Sequence, residues 1–169
     1  MNYIKITKND IANGPGVRVT LWVSGCTIHC KGCHNPQTWD FNAGKPFDET
    51  AKQELFEALN KPYIRGVTIS GGNPLDRPYA IFLLLNEIKS AYPNKDIWLY
   101  SGYTYDEICS SREKFKAILN VDVLVDGPYI AEQHDITLPF CGSRNQRLID
   151  VKETLKQGKI TLYKTEQND

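Results

Sequence analysis

The 169-residue sequence carries no excess of either charge: 20 Lys and Arg stand against 20 Asp and Glu. Without a basic surplus there is no electrostatic footprint for a nucleic-acid backbone, and nothing draws the chain to an anionic membrane surface. Long apolar runs are missing as well. The longest, Tyr79 to Leu85, falls far short of the roughly 20 residues that cross a bilayer, and no signal-peptide core follows Met1. These absences set the expectation of a cytoplasmic protein with no membrane and no nucleic-acid partner. Compositional bias is absent too. With 41% hydrophobic and 24% charged residues the chain sits near the globular average, which excludes disorder and fibrous repeats. The length suits one domain, residues 1–169, large enough to bury a core without covalent staples.

A disulfide framework is also excluded. The five cysteines are odd in number, three of them, Cys26, Cys30 and Cys33, fall within eight residues, and nothing marks the chain as secreted. Clustered thiols in a reducing compartment point to a shared metal instead.

The remaining pattern alternates strands with helices. Val17–Val23 reads as a strand leading into the cysteine segment. Asp48 caps a helix to about Asn60, with Ala51, Leu55, Ala58 and Leu59 on one face. Val67–Ser70 is a short buried strand stopped by Gly71-Gly72-Asn73-Pro74, followed by a helix from about Arg77 to Ala91 on the spacing of Ile81, Leu84, Leu85 and Ile88. Ile97–Tyr100 ends at Ser101-Gly102-Tyr103. Thr104 and Glu107 then form a capping box for a third, broken helix towards Leu119. Val121–Val125 is a fourth strand, ending at Asp126-Gly127-Pro128. Beyond Ala131, Gln146–Val151 and Lys159–Tyr163 read as short strands around a helical turn at Glu153–Gln157, with a frayed end from Glu166 to Asp169. Such alternation implies an α/β fold with parallel pairing. Parallel strands gather their carboxyl ends on one edge, where ligands bind, so the cysteine segment and the three glycine turns should meet in one site.

The spacing Cys26-x3-Cys30-x2-Cys33 offers three thiolates from one turn, suited to three corners of a four-iron cluster and leaving one iron open to substrate. A zinc site remains the alternative, with a fourth ligand from His29, His34, Cys109 or Cys141. Structural zinc usually takes paired Cys-x2-Cys knuckles, and only one such pair exists here. Gly71-Gly72 lets backbone approach a ligand closely, although a tight turn alone would also explain it.

Cys-x3-Cys-x2-Cys after one strand, then Gly-Gly-x-Pro after the next, resembles the radical S-adenosylmethionine superfamily. The likeness narrows at Asn13-Gly14-Pro15-Gly16-Val17-Arg18, Val23-Ser24-Gly25-Cys26, Gly32-Cys33-His34-Asn35, Gly44-x-Pro46-Phe47, Lys95-Asp96-Ile97-Trp98, Ser101-Gly102-Tyr103, Leu124-Val125-Asp126-Gly127 and Gly142-Ser143-x-Asn145-Gln146. Together these resemble the glycyl-radical-enzyme activating family, on its branch serving anaerobic ribonucleoside-triphosphate reductase, over about residues 1–147. The resemblance implies an incomplete (β/α) barrel of parallel strands, open on one side, since four or five units cannot close an eight-unit barrel. It implies that Cys26, Cys30 and Cys33 hold a [4Fe-4S] cluster and that S-adenosylmethionine is the cosubstrate. Gly32, Cys33 and His34 would border its nucleoside, and Gly71 and Gly72 its amino acid end. Asn73, Ser101 and Tyr103, in the turns at the strand ends, are further candidate contacts from their position, although packing alone would also explain Tyr103. Its implied partners are the reductase, as protein substrate, and an electron donor such as reduced flavodoxin.

The sequence departs from the superfamily where Asn73 replaces a frequent acidic residue and Gly32 a frequent aromatic one. Cys141 stands where a basic residue is expected. Arg18 is expected either to face the site or to be a solvated or ion-paired surface residue, Cys109 to be a small buried hydrophobe, and Asp126 to contact the nucleoside or cap a turn. Two other readings stay open: a radical enzyme acting on a small molecule, such as a deazapurine-type synthase, and a non-catalytic zinc-binding interaction module.

Overall fold

A computed structural model describes residues 1–165; the expected frayed end, Glu166 to Asp169, lies outside them. The described residues form strands β1 (Asn2–Asp10), β2 (Arg18–Val23), β3 (Lys45–Pro46), β4 (Gly66–Gly71), β5 (Asp96–Tyr100), β6 (Val123–Asp126) and β7 (Arg147–Asp150). The helices are α1 (Glu49–Leu59), α2 (Pro78–Ala91), α3 (Tyr105–Cys109), α4 (Arg112–Ile118) and α5 (Val151–Gln157). No helix among the described residues is long and apolar enough to cross a membrane.

The strands make one open sheet in the order β3-β1-β2-β4-β5-β6-β7. Its centre, β2-β4-β5-β6, is parallel as the βα alternation requires. The edges correct the all-parallel expectation, because β1 runs antiparallel to β2 and β3, and β7 antiparallel to β6. β1 is a strand the pattern did not single out. Except for the buried Asp10, its residues are half-buried or exposed rather than core, so its apolar signal is weak. β7 is joined to β6 by a long connection without a helical crossover, which permits the antiparallel return.

Local chemistry explains the element ends. Asp48 accepts from the Ala51 amide at the start of α1, and Thr104 with Glu107 completes the expected capping box of α3. A new cap at Ser111 restarts the helix as α4, so the broken helix is real. Lys159–Tyr163 does not form the expected strand; only Leu162 bridges to Ile149. Cys109 is exposed rather than buried, because its neighbour Ile108 takes the core position at the end of this one-turn helix.

Strand alternation splits the sheet into two unlike faces. Val19, Leu21, Val23, Val67, Ile69, Ile97, Leu99 and Leu124 share one core with Leu55 and Leu59 of α1, Ile81, Leu85 and Ile88 of α2, and Ile118 of α4. Each such fully buried aliphatic side chain stabilises the fold by about 1.5–3 kcal/mol. The opposite face carries Arg18, Thr20, Trp22, Thr68, Ser70, Trp98 and Tyr100, and only a small cluster of Trp98, Val123 and Val125 packs there with Phe140 and Tyr163. This second face is the wall of the site.

Candidate functional site

The cysteine loop leaves β2 at the carboxyl edge and is fastened on both flanks. The amides of Gly25 and Cys26 donate to the carbonyls of Thr38 (2.8 Å) and Trp39 (3.0 Å), and the Ser24 hydroxyl donates to the Ala43 carbonyl (2.7 Å). Gly25 at φ 99° and Gly32 at φ 74° occupy conformations open mainly to glycine, and His29 takes a left-handed φ of 50°. Within the loop the Cys33 amide donates to the Cys30 carbonyl (3.1 Å), and the Asn35 amide donates to the Cys33 Sγ at 3.3 Å.

Cys26, Cys30 and Cys33 line one cavity of about 580 Å³, open on one side. Its volume falls within the range of small-molecule sites. Burial pushes the Cys30 thiol up; the Tyr129 amide pulls it the other way, and the neighbouring charges of Cys26 and Cys33 push it further up. That mutual repulsion is what a bound cation relieves. Among the described residues no three His, Cys, Asp or Glu side chains are placed to hold a single metal ion. His29, an expected zinc-ligand alternative, instead stacks on Trp39 with ring centroids 4.5 Å apart. Three thiols from one loop suit three corners of a four-iron cluster.

His34, Gly71, Gly72, Asn73 and Ser101 also line the cavity, so four strand ends and their turns do converge. Two expected contacts are placed differently. Gly32 is not among the lining residues and lies against Tyr129 and Ala131. Tyr103 is not among them either; its hydroxyl donates to Asp76 (2.6 Å) and its ring packs on the helix-side core. The Gly71-Gly72 turn differs in kind from the expectation. A Cβ on Gly72 would stand 2.4 Å from the Gly25 carbonyl oxygen, and one on Gly71 2.5 Å from that of Val23, so Gly72 is needed for packing against the cysteine loop and Gly71 for packing against the end of β2. The Gly72 and Asn73 amides are already taken by the carbonyls of Val23 and Gly25, each at 2.8 Å. With those two amides taken, the turn's backbone offers a ligand carbonyl oxygen.

Asn73 is almost wholly buried; its Oδ1 accepts from the Ser101 hydroxyl (3.2 Å), which in turn accepts from the Tyr103 amide (3.0 Å), and its Nδ2 has no partner. Asp126 is buried and fixes structure, accepting from the Tyr105 amide (2.7 Å) and pairing with Arg147 (2.5 Å). Cys141 lines the same cavity, its thiol pushed up to about 11 by burial and then by the Asp126 charge. Gln146 accepts from the Gly142 amide (2.8 Å) and donates to the Gly127 carbonyl (3.0 Å), tying that loop to the end of β6.

Arg18 lies at the other end of its strand, six residues before the cysteine loop begins, and is fully buried, which excludes the solvated reading. It donates to Thr68 Oγ1 (2.9 Å) and the Val67 carbonyl (2.9 Å), pairs with Asp96 (2.5 Å) and stacks over Trp98 at 5.5 Å. The sequence pattern missed Tyr129, Trp22 and Tyr100 as lining residues and Asp76 as a link between loops. Tyr129 follows the Asp-Gly-Pro turn directly, a signal that was available; the others depend on which strand lies beside which.

The model of the 4Fe-4S single cluster domain family matches residues 12–149. An anaerobic ribonucleoside-triphosphate reductase-activating protein of Haemophilus influenzae is 42% identical over 151 residues, 86% of this chain and 96% of that protein. The proteins of the same description from Escherichia coli K12 and Enterobacteria phage T4 are 39% and 40% identical over 150 residues. They cover 86% and 88% of this chain, and 96% and 93% of their own length.

Proposed function

The chain belongs to the family of anaerobic ribonucleoside-triphosphate reductase-activating proteins, with a 4Fe-4S single cluster domain, and on that premise we propose that it generates a glycyl radical in such a reductase. Cys26, Cys30 and Cys33 hold a [4Fe-4S] cluster, and S-adenosylmethionine is the cosubstrate. The observation that carries the reading is the placement of three thiols from one fastened loop on the wall of an open cavity at the carboxyl edge. The chemistry the cluster supplies when bound is transfer of one electron to the sulfonium, which leaves methionine and a 5′-deoxyadenosyl radical.

The chain's own residues bind and orient. Carbonyl oxygens of the Gly71-Gly72 turn, where the Gly72 and Asn73 amides are already taken, suit the ammonium end of the cosubstrate, while His34 and Tyr129, 4.6 Å apart, offer aromatic surface beside the thiols. Neither hydrogen-atom abstraction nor sulfonium cleavage needs a protein acid or base. Binding energy is better used to hold a glycine α-carbon of the reductase close to the radical, and the open side of the sheet admits such a loop. A low-potential carrier such as reduced flavodoxin supplies the electron.

The test mixes reduced, anaerobically reconstituted protein with S-adenosylmethionine and the reductase, whose glycine is either normal or α-deuterated. A doublet in the electron paramagnetic resonance spectrum that collapses on deuteration, with 5′-deoxyadenosine in comparable amount, is expected. Cosubstrate cleavage with no reductase-centred signal would point to a small-molecule substrate instead.

A further inference from the structure

We propose that Asp76 positions the cysteine loop and keeps the reduction potential of its cluster low, an inference that rests on the reading that Cys26, Cys30 and Cys33 hold that cluster. Asp76 ends the short turn Pro74–Asp76 that follows Gly71-Gly72-Asn73, and its carboxylate reaches two other loops. One oxygen accepts from the Thr27 amide at 2.8 Å, the Thr27 hydroxyl lies 3.1 Å from both oxygens, and the other oxygen accepts from the Tyr103 hydroxyl at 2.6 Å. The Thr27 amide is the one that directly follows Cys26. A single side chain thus ties the cysteine loop to the turns after β4 and β5.

The same geometry fixes a carboxylate on the residue that follows the first cysteine. Among the described residues Asp76 forms no ion pair, and the adjacent Arg77 is directed elsewhere, over the Phe41 ring at 4.7 Å. Tyr103 reports on the arrangement. Burial holds its proton more tightly, and so do the bond to Asp76 and the charges of Asp76 and Cys26.

Two effects then act in one direction. A fixed negative charge near a cluster disfavours adding an electron, and hydrogen bonds to cluster sulfurs favour it. By drawing the Thr27 amide and hydroxyl towards itself, Asp76 removes two donors that would otherwise be free to turn to sulfur. A low potential is what electron transfer to a sulfonium demands. Asp76 is not a cavity-lining residue, so its influence runs through the loop and the local field.

Wild type, Asp76→Asn, Asp76→Ala and Asp76→Glu would be reconstituted anaerobically, assayed for iron and sulfide, and titrated redox-wise with electron paramagnetic resonance detection. Asp76→Asn keeps an acceptor oxygen and loses the charge. It should retain its cluster while its midpoint moves to less negative potential, raising the reduced-to-oxidised ratio at fixed ambient potential about tenfold. Asp76→Ala should shift at least as far and bind less iron, and Asp76→Glu should return towards wild type. A full cluster at unchanged potential in Asp76→Asn would overturn the proposal, as would an Asp76→Glu protein no closer to wild type than Asp76→Ala. A wild-type chain that takes up no iron would instead remove the cluster reading itself, and this inference with it.

Discussion

The four parallel strands begin and end in opposite conditions. At their amino edge Arg18 is fully buried, yet its guanidinium meets Asp96, Thr68, the Val67 and Pro15 carbonyls and the face of Trp98. Burial pulls its pKa down and Asp96 pushes it back up, so the charge survives out of water. At the carboxyl edge three thiols from one loop line a cavity, and the buried Asn73 amide nitrogen has no protein partner. Both edges hold polar groups away from solvent. What separates them is how the charge is met: Arg18 pairs with a carboxylate inside the fold, whereas the three thiols are gathered on the wall of a cavity.

The largest expected break in this contrast is made at the cysteines. Cys26→Ser, Cys30→Ser and Cys33→Ser should each abolish iron and sulfide uptake, whereas Cys109→Ser and Cys141→Ser should bind as wild type. Loss of the cluster in Cys141→Ser would give the cavity a fourth ligand and defeat the open-iron model. Next come two glycines at opposite ends of β4, Gly66 that opens it and Gly72 that follows it. A Cβ would meet the Asp96 carbonyl oxygen at 2.1 Å from Gly66, and the Gly25 carbonyl oxygen at 2.4 Å from Gly72. Alanine at either place should cost about 1–3 kcal/mol in chemical denaturation. Only Gly72→Ala should also lower iron uptake in protein that remains folded; equal uptake by both variants would show that the cysteine loop tolerates the displacement.

Arg18→Met should destabilise the fold by about 3 kcal/mol, since Asp96 loses its buried partner, with Arg65 at 3.0 Å left to compensate. Iron content per folded molecule should not change. A drop in cluster content under conditions where the variant is fully folded would mean that the two edges are coupled. The smallest effect is chemical. With its pKa raised to about 11, the Cys141 thiol stays protonated at neutral pH, and the folded state is favoured below the ordinary thiol range and loses that advantage as pH rises through 11. In folded apoprotein, alkylation by iodoacetamide at pH 8 should therefore reach exposed Cys109 at least about tenfold sooner than Cys141. Equal rates would show that the Cys141 pocket admits water.

The centre of the fold was legible because its signals are local. Asp48 and Thr104 cap helices through residues three positions away, and Leu84, Leu85 and Ile88 repeat at helical spacing, so α1, α2 and the break between α3 and α4 follow from short windows. The cysteine spacing is local too. β1 and β7 were harder, since an edge strand is defined by its neighbour and each runs against the central direction. Cys109 was misjudged, and Arg18 and Tyr103 were left open between readings that only their distant partners decide. Arg18 acquires its partners from 49 and 78 residues away, and Tyr103 turns to Asp76, 27 residues earlier, rather than to the cavity. Gly71-Gly72 was recognised as a close approach, but the backbone that approaches it belongs to the end of β2 and the start of the cysteine loop.

The fastening of that loop bears on repair. The bonds from Gly25, Cys26, Gly72 and Asn73 join backbone to backbone, and none of the seven strands runs through Cys26, Cys30 or Cys33. A cluster stripped by oxygen would leave the sheet and both flanks of the loop in place. The emptied chain would then present its thiols for reloading without refolding, and an oxidative insult would end a round of activation while sparing the molecule that carries it out.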